Sequence, residues 1–156
     1  MHYWLMKSEP DVFSIGDLKA AKRAPWDGVR NYQARNNIEQ MHAGDLFLFY
    51  HSSCKPPGLA GVGEIVSEPY PDRAALDPSS PYHDPKATAE KLPWKAVDVC
   101  FREAFDQLLS LETIRTLPGL EGLALLKKAS RLSVMPVTAE QWEILVGAAR
   151  SAALGA

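Results

Sequence analysis

Residues 26–36 read Trp-Asp-Gly-Val-Arg-Asn-Tyr-Gln-Ala-Arg-Asn, a stretch whose side chains suit a planar, charged ligand. Trp26, Tyr32 and the guanidinium planes of Arg30 and Arg35 can stack on a nucleobase, and the amides of Asn31 and Gln33 can hydrogen-bond its edge. Only Val29 and Ala34 are plainly apolar. The stretch is therefore no core segment, because too many amide and guanidinium groups would need buried partners. Asp27-Gly28 marks a turn. Beyond it, Asn31 and Arg35 fall one helical turn apart, as do Tyr32 and Asn36. A helix starting near Asn31 would offer amides and a guanidinium at its positive N-terminal end, where an anion is favoured. The competing reading is a polar helix start with Trp26 as a packing anchor.

Other reactive side chains form weaker patterns. His51 and Ser52 are adjacent at the end of an apolar run, but neighbours on a strand point to opposite faces and cannot pair as base and nucleophile. Lys7, Ser8 and Glu9 follow another apolar run, where burial could lower the lysine pKa. His2, His42, His51 and His83 lack metal-ligand spacing with one another or with Cys54 and Cys100, so neither a metal nor a cofactor is expected.

The background is ordinary. The 156 residues are 46% hydrophobic and 23% charged with net charge −2, which suits one globular domain and excludes binding to nucleic acid through a bulk positive field. Charge is uneven, however. Between Asp17 and Asn36, five basic residues stand against two acidic ones. Two cysteines make no disulfide framework and no CxxC. No secretory signal or membrane-length apolar run is visible, and a reduced cytoplasmic location is the expectation.

The elements that must position these residues can be read in order. His2–Lys7 reads as a buried strand ended by Pro10. Ser14-x-x-Asp17 caps a short helix through about Arg23, which Pro25 ends. A second helix follows from near Asn31 to about Met41. Leu46–Tyr50 reads as a central strand. Leu59–Glu68 is another, with Gly61 and Gly63 on one face. Those glycines signal a barrel bend or a close approach, and the bend is the reading adopted. Residues 69–93 carry six prolines and form one long loop with a helical turn near Arg73–Leu76, and a loop of that length is often functional. Trp94–Phe105 alternates as a long strand. Ser110 caps a short helix with Leu111 and Ile114, and Leu120–Lys128 reads as another helix. Arg131–Met135 is a last strand stopped by Pro136. Thr138-x-x-Gln141 caps a final helix with Trp142, Leu145, Val146 and Ala149 as its buried stripe. The fold class is mixed α+β: a small, partly open barrel of about five strands with short helices packed around it.

Several of these segments together resemble the EVE domain family. They are Lys7-Ser8-Glu9-Pro10, residues 26–36, Gly44-Asp45 with Phe49-Tyr50-His51-Ser52, Tyr70-Pro71-Asp72, and Ser130-Arg131-Leu132-Ser133-Val134 with Pro136-Val137. The match runs from about residue 2 to 149, so residues 1–150 are taken as one domain with 151–156 as a frayed tail. The resemblance implies a PUA-like fold related to the YTH and ASCH domains, and a reader of modified bases in DNA or RNA, single-stranded or flipped from a duplex. By position, it implies a base pocket of Ser8, Trp26, Asn31, Tyr32, Gln33, Tyr50, His51, Ser52, Leu132 and Ser133. In that pocket Trp26 and Tyr50 would wall the base. Lys7, Arg30, Arg35, Asn36 and Arg131 would hold phosphates. Partners are expected to be nucleic acid, with neither membrane nor metal, and oligomeric state is left open. The alternative is a hydrolase of modified nucleosides or RNA, as in some ASCH relatives, using Lys7, Ser8 and Glu9, or His51 with Glu64.

Overall fold

The computed structural model describes residues 1–127 and 131–154. Among these residues, seven strands form one partly open sheet: β1 (Tyr3–Ser8), β2 (Arg23–Trp26), β3 (Leu46–His51), β4 (Gly58–Ile65), β5 (Tyr70–Pro71), β6 (Lys95–Ser110) and β7 (Val134–Val137). The path runs β2-β6-β4-β3-β1-β7, and β5 pairs with β6. β1 and β3 are parallel, and every other pair is antiparallel. Among the described residues, four α-helices surround the sheet: α1 (Ile15–Ala21), α2 (Tyr32–Glu39), α3 (Leu111–Ile114) and α4 (Ala139–Leu154).

The caps form as their chemistry dictates. Ser14 and Asp17 close a reciprocal capping box on α1. Asn31 Oδ1 accepts from Ala34 N to start α2. Thr138 and Gln141 bond each other's backbone amides at the start of α4.

The architecture departs from the sequence reading in several places. Residues 23–26 form β2 rather than the end of a helix, because α1 stops at Ala21 and Lys22 turns with φ 67°. Pro25 is tolerated because β2 is an edge strand. Pro136 lies inside β7 for the same reason: β7 pairs only with β1. β6 reaches Ser110, five residues beyond the expected Phe105. The helix expected over 120–128 is a single 3₁₀ turn at Ala124–Leu126, because Gly122 has φ 91°. Lys128 and Ser130 lie outside the described residues. Helix α4 continues to Leu154, past the expected boundary at Arg150.

Gly61 and Gly63 combine both of their readings. The β4–β6 register slips beside each, and a methyl at Gly61 would collide with the Glu103 carbonyl, one at Gly63 with the Phe47 ring. Strand alternation divides the interior into two clusters. Leu5, Leu48 and Tyr50 join Leu59, Ile114 and the stripe of α4 in one. Met6, Phe47 and Phe49 join Trp4, Trp26, Leu18 and Ile38 in the other.

Candidate nucleic-acid interface

A cavity of about 500 Å³ opens on the side of the second cluster. Its walls come from four places in the chain. They are the end of β1 and its turn (Lys7 to Phe13), the segment from β2 to the approach of α2 (Ala24 to Arg30), Tyr82 of the long loop, and Ser133 just before β7. Trp26 forms the floor. It is only 7% exposed, and it meets Phe49 edge-on at 5.2 Å, Phe47 at 5.6 Å and Phe13 at 6.4 Å between centroids. Trp26 is thus a packing anchor whose remaining surface lines the cavity.

The second aromatic wall is Tyr82. Gly28 has φ 78°, and a methyl there would sit 2.6 Å from Tyr82 Cε1, so only glycine lets the loop close on this turn. Asp72, itself buried, holds the closure. Its Oδ2 accepts from Gly28 N at 2.8 Å and from Arg30 Nη1 at 2.9 Å, and its Oδ1 accepts from Ala74 N at 3.0 Å. Arg30 completes the clamp by donating twice to the Tyr82 carbonyl, at 3.0 Å from Nε and 2.8 Å from Nη2. The long loop is thus bolted across the 26–30 segment, and Arg30 is a structural clamp at the cavity wall rather than a free phosphate cation.

Asp27 also lines the cavity. Its side chain is accessible, yet partial burial and the neighbouring charge of Asp72 push its carboxyl pKa up, against the opposing pull of its backbone hydrogen bond and Arg30. This carboxyl can accept from an amino group when ionised and donate to a ring nitrogen when protonated.

Of the expected base pocket, Ser8, Trp26 and Ser133 line the cavity, and of the phosphate set, Lys7 and Arg30 do. The Ser8 hydroxyl donates to the Phe13 carbonyl at 2.7 Å, holding the turn that forms one wall. The Ser133 carbonyl accepts from Lys7 N at 2.8 Å. The Lys7 ammonium lies 5.7 Å over the Tyr50 ring, and burial lowers its pKa.

The remaining positions lie elsewhere. Tyr50 is 3% exposed and belongs to the opposite cluster, so it cannot face Trp26 across a base. His51 stands edge-on to Phe49, and its Nε2 accepts from Ile15 N at 3.1 Å; burial lowers its pKa. Ser52 donates its backbone amide to Ser8 O, and Leu132 packs between the two clusters. The Asn31 side chain is committed to its cap. Gln33 and Arg131 are exposed outside the lining. Asn36 accepts from Arg35 Nε, and Arg35 also donates to Pro93 O. Tyr32 stacks on Trp94, away from the cavity. Glu64 is paired with Arg102, remote from His51 as a catalytic partner. Sequence reasoning missed Phe13, Asp27 and Tyr82. The signal available for Tyr82 was the length of its loop, and for Asp27 its place in the turn beside Trp26.

Comparison with known proteins gives the family. The EVE domain family model matches residues 2–148. This chain belongs to the EVE domain family. Mouse thymocyte nuclear protein 1 is 40% identical over 93% of this chain and 72% of its own length. A Pseudomonas syringae protein of known crystal structure is 58% identical, with TM-score 0.93 over 94% of this chain and 99% of that one. Human THYN1 protein, solved in complex with 5-methylcytosine containing DNA, is 37% identical, with TM-score 0.90 over 96% of this chain and 98% of that one. Among the described residues, no group of three or more His, Cys, Asp or Glu could hold a metal ion, and no helix is long and apolar enough to cross a membrane.

Proposed function

We propose that this EVE domain binds nucleic acid and takes a modified base, of the 5-methylcytosine class, into the cavity floored by Trp26. The observation that carries the reading is the cavity itself. It combines an aromatic floor, a second aromatic wall in Tyr82 and two accessible carboxyls, Asp27 in the turn beside Trp26 and Glu9 just after β1. Its volume of about 500 Å³ suits a small planar ligand. The human relative solved with 5-methylcytosine containing DNA supports the choice of ligand.

In this reading the base stacks against Trp26 and Tyr82, each contact contributing roughly 1–3 kcal/mol. Its exocyclic amino group donates to Asp27. The methyl meets the apolar wall of Val12, Phe13, Pro25 and Val29, where it costs no hydrogen bond. Extruding a base from a duplex costs a few kcal/mol, so single strands or distorted duplexes are preferred. Cys54 and Cys100, both free thiols, suit a reducing compartment such as the cytoplasm.

The test is equilibrium binding of matched oligonucleotides carrying 5-methylcytosine or cytosine, as DNA and RNA, single- and double-stranded, at one salt concentration. The modified strands bind more tightly, and Tyr82→Ala weakens them about tenfold. Equal affinity for modified and plain strands overturns the reading. The hydrolase alternative rests on a single observation, that Lys7, Ser8 and Glu9 all border the cavity. Product release from modified nucleosides, abolished in Lys7→Ala, would establish it.

A further inference from the structure

A second depression of about 350 Å³ lies beside the cavity, lined by Tyr32, Asp84, Lys86, Lys91, Leu92 and Pro93. Tyr32 is one of three large apolar or aromatic side chains that stand exposed among the described residues, at 59%. Its ring is nonetheless fixed. It stacks on Trp94 with centroids 4.8 Å apart at 29°, and the Arg35 guanidinium carbon lies 5.2 Å from its centre. Those supports are themselves anchored: Trp94 Nε1 donates to Asp84 Oδ2 at 2.8 Å, and Arg35 Nη1 to Pro93 O at 3.0 Å. An aromatic ring that is both held and exposed loses little entropy when a base stacks on it.

The charges around it fit a phosphodiester strand. Lys86 and Lys91 border the depression on a backbone already shaped. Lys86 N donates to Asp84 Oδ1, and Lys91 exchanges two backbone hydrogen bonds with Thr88. Asp84 is the sole acid in the lining, and both its oxygens are occupied, by Trp94 Nε1 and Lys86 N. Planar groups also link the depression to the cavity. The Arg30 guanidinium carbon lies 5.5 Å from the Trp94 ring and 5.9 Å from the Tyr82 ring. These packed groups tie the two places into one surface region.

We infer that this depression is a subsite for a nucleotide flanking the one in the cavity, with Tyr32 stacking on its base and Lys86 and Lys91 holding its phosphates. The inference rests on the cavity being the site that takes the base. It assigns Tyr32, which faces away from the cavity, to sequence-tolerant affinity, while selectivity for the modification stays with Trp26, Asp27 and Tyr82.

The experiment measures fluorescence-anisotropy binding of single-stranded oligonucleotides, with and without one 5-methylcytosine, to the full chain, Tyr32→Ala and the double variant Lys86→Gln/Lys91→Gln. Circular dichroism checks that each variant is folded, which the exposure of all three side chains favours. Tyr32→Ala loses about tenfold in affinity for both strands and leaves their ratio unchanged. The double lysine variant flattens the salt dependence, its logarithmic slope falling by about 1 to 2. Wild-type affinity in Tyr32→Ala overturns the subsite. The cavity reading fails separately, if the unaltered chain shows no preference for the modified strand. A chain that binds neither strand sinks both.

Discussion

Phe49 and Tyr50 are neighbours on β3, buried to 0% and 3% exposure, yet they belong to different halves of the molecule. Phe49 packs with Met6, Phe47 and Trp26 beneath the cavity, while Tyr50 packs with Leu5, Leu48 and Leu59 beneath α3 and α4. One side of the sheet is sealed by apolar side chains. The other ends in an aromatic cluster that keeps an open surface. Strand alternation alone makes the division, because successive side chains leave a strand on opposite faces. The lesson is that burial on β3 says nothing about function: two equally buried aromatic rings differ in what they support.

The comparison can be broken most forcefully at those two positions. Phe49→Ala and Tyr50→Ala should each cost about 3–5 kcal/mol, the range for emptying a buried aromatic site, as read by urea unfolding. Below their melting temperatures the two should part. Phe49→Ala loses selectivity for the modified base because Trp26 loses its partner at 5.2 Å. Tyr50→Ala, still folded, keeps it. A folded Tyr50→Ala that binds modified and plain strands alike would undo the division.

The same pair shows how far the sequence could be read. Caps, turns and hydrophobic runs were legible because each is set by local chemistry: Ser14 with Asp17, Asn31, Thr138 with Gln141, and the run Leu46–Tyr50. The pairing of Trp26 with Tyr50 was not. Alternation places Phe49 and Tyr50 on opposite faces, but which face meets Trp26 depends on β2 crossing to pair with β6, and no local signal encodes that contact. Tyr82 was hidden for a similar reason. Its place over Gly28 depends on Asp72 and Arg30, which lie ten or more positions away in sequence and meet only in the fold. β2 itself was missed because Pro25 reads as a breaker, whereas an edge strand accepts it.

A smaller effect is expected at Asp45, which anchors the cavity-side cluster from its far end. Its carboxylate is 3% exposed and accepts from Trp4 Nε1 at 3.0 Å, His2 N at 3.1 Å and His42 N at 3.0 Å. Burial alone would raise its pKa, but those three donors hold it below the usual carboxylate range. Asp45→Ala leaves the buried Trp4 Nε1 donor and two partly buried amides unmatched and should cost about 3 kcal/mol. Because the folded pKa is depressed, the stabilisation is complete above the ordinary carboxylate pKa and is lost as pH falls through the folded value. The gap between wild type and variant in a thermal melt should therefore narrow in acid, while base selectivity at neutral pH changes little. A large loss of selectivity would show that the cluster transmits strain to the cavity.

Gly28→Ala lies in the cavity wall and should cost less stability. An L residue in this left-handed conformation is strained by roughly 1–2 kcal/mol, and the added methyl displaces the Tyr82 ring. Binding should suffer more than folding, with affinity for the modified strand falling as far as in Tyr82→Ala. A variant that keeps full affinity would mean that Tyr82 is not a wall of the base site.

The smallest expected change in stability, and the sharpest contrast with Asp45, is at Asp27. Here burial and the Asp72 charge raise the pKa. The fold therefore holds the Asp27 proton more tightly than the unfolded chain does. Its contribution is full below the ordinary carboxylate range and is lost as pH rises through the raised folded value, so at neutral pH the ionised group opposes folding. Asp27→Asn removes that opposition. The variant should melt slightly above wild type at pH 7, and the two curves should converge as pH falls. Binding should move the other way: without the carboxylate the amino edge of the base loses its acceptor, so affinity for the modified strand drops and its dependence on pH across the acid range flattens. More stable yet weaker in binding is the signature of a carboxyl kept for a ligand rather than for the fold. A variant less stable than wild type at neutral pH would place Asp27 instead with Asp45, among the groups that hold the structure together.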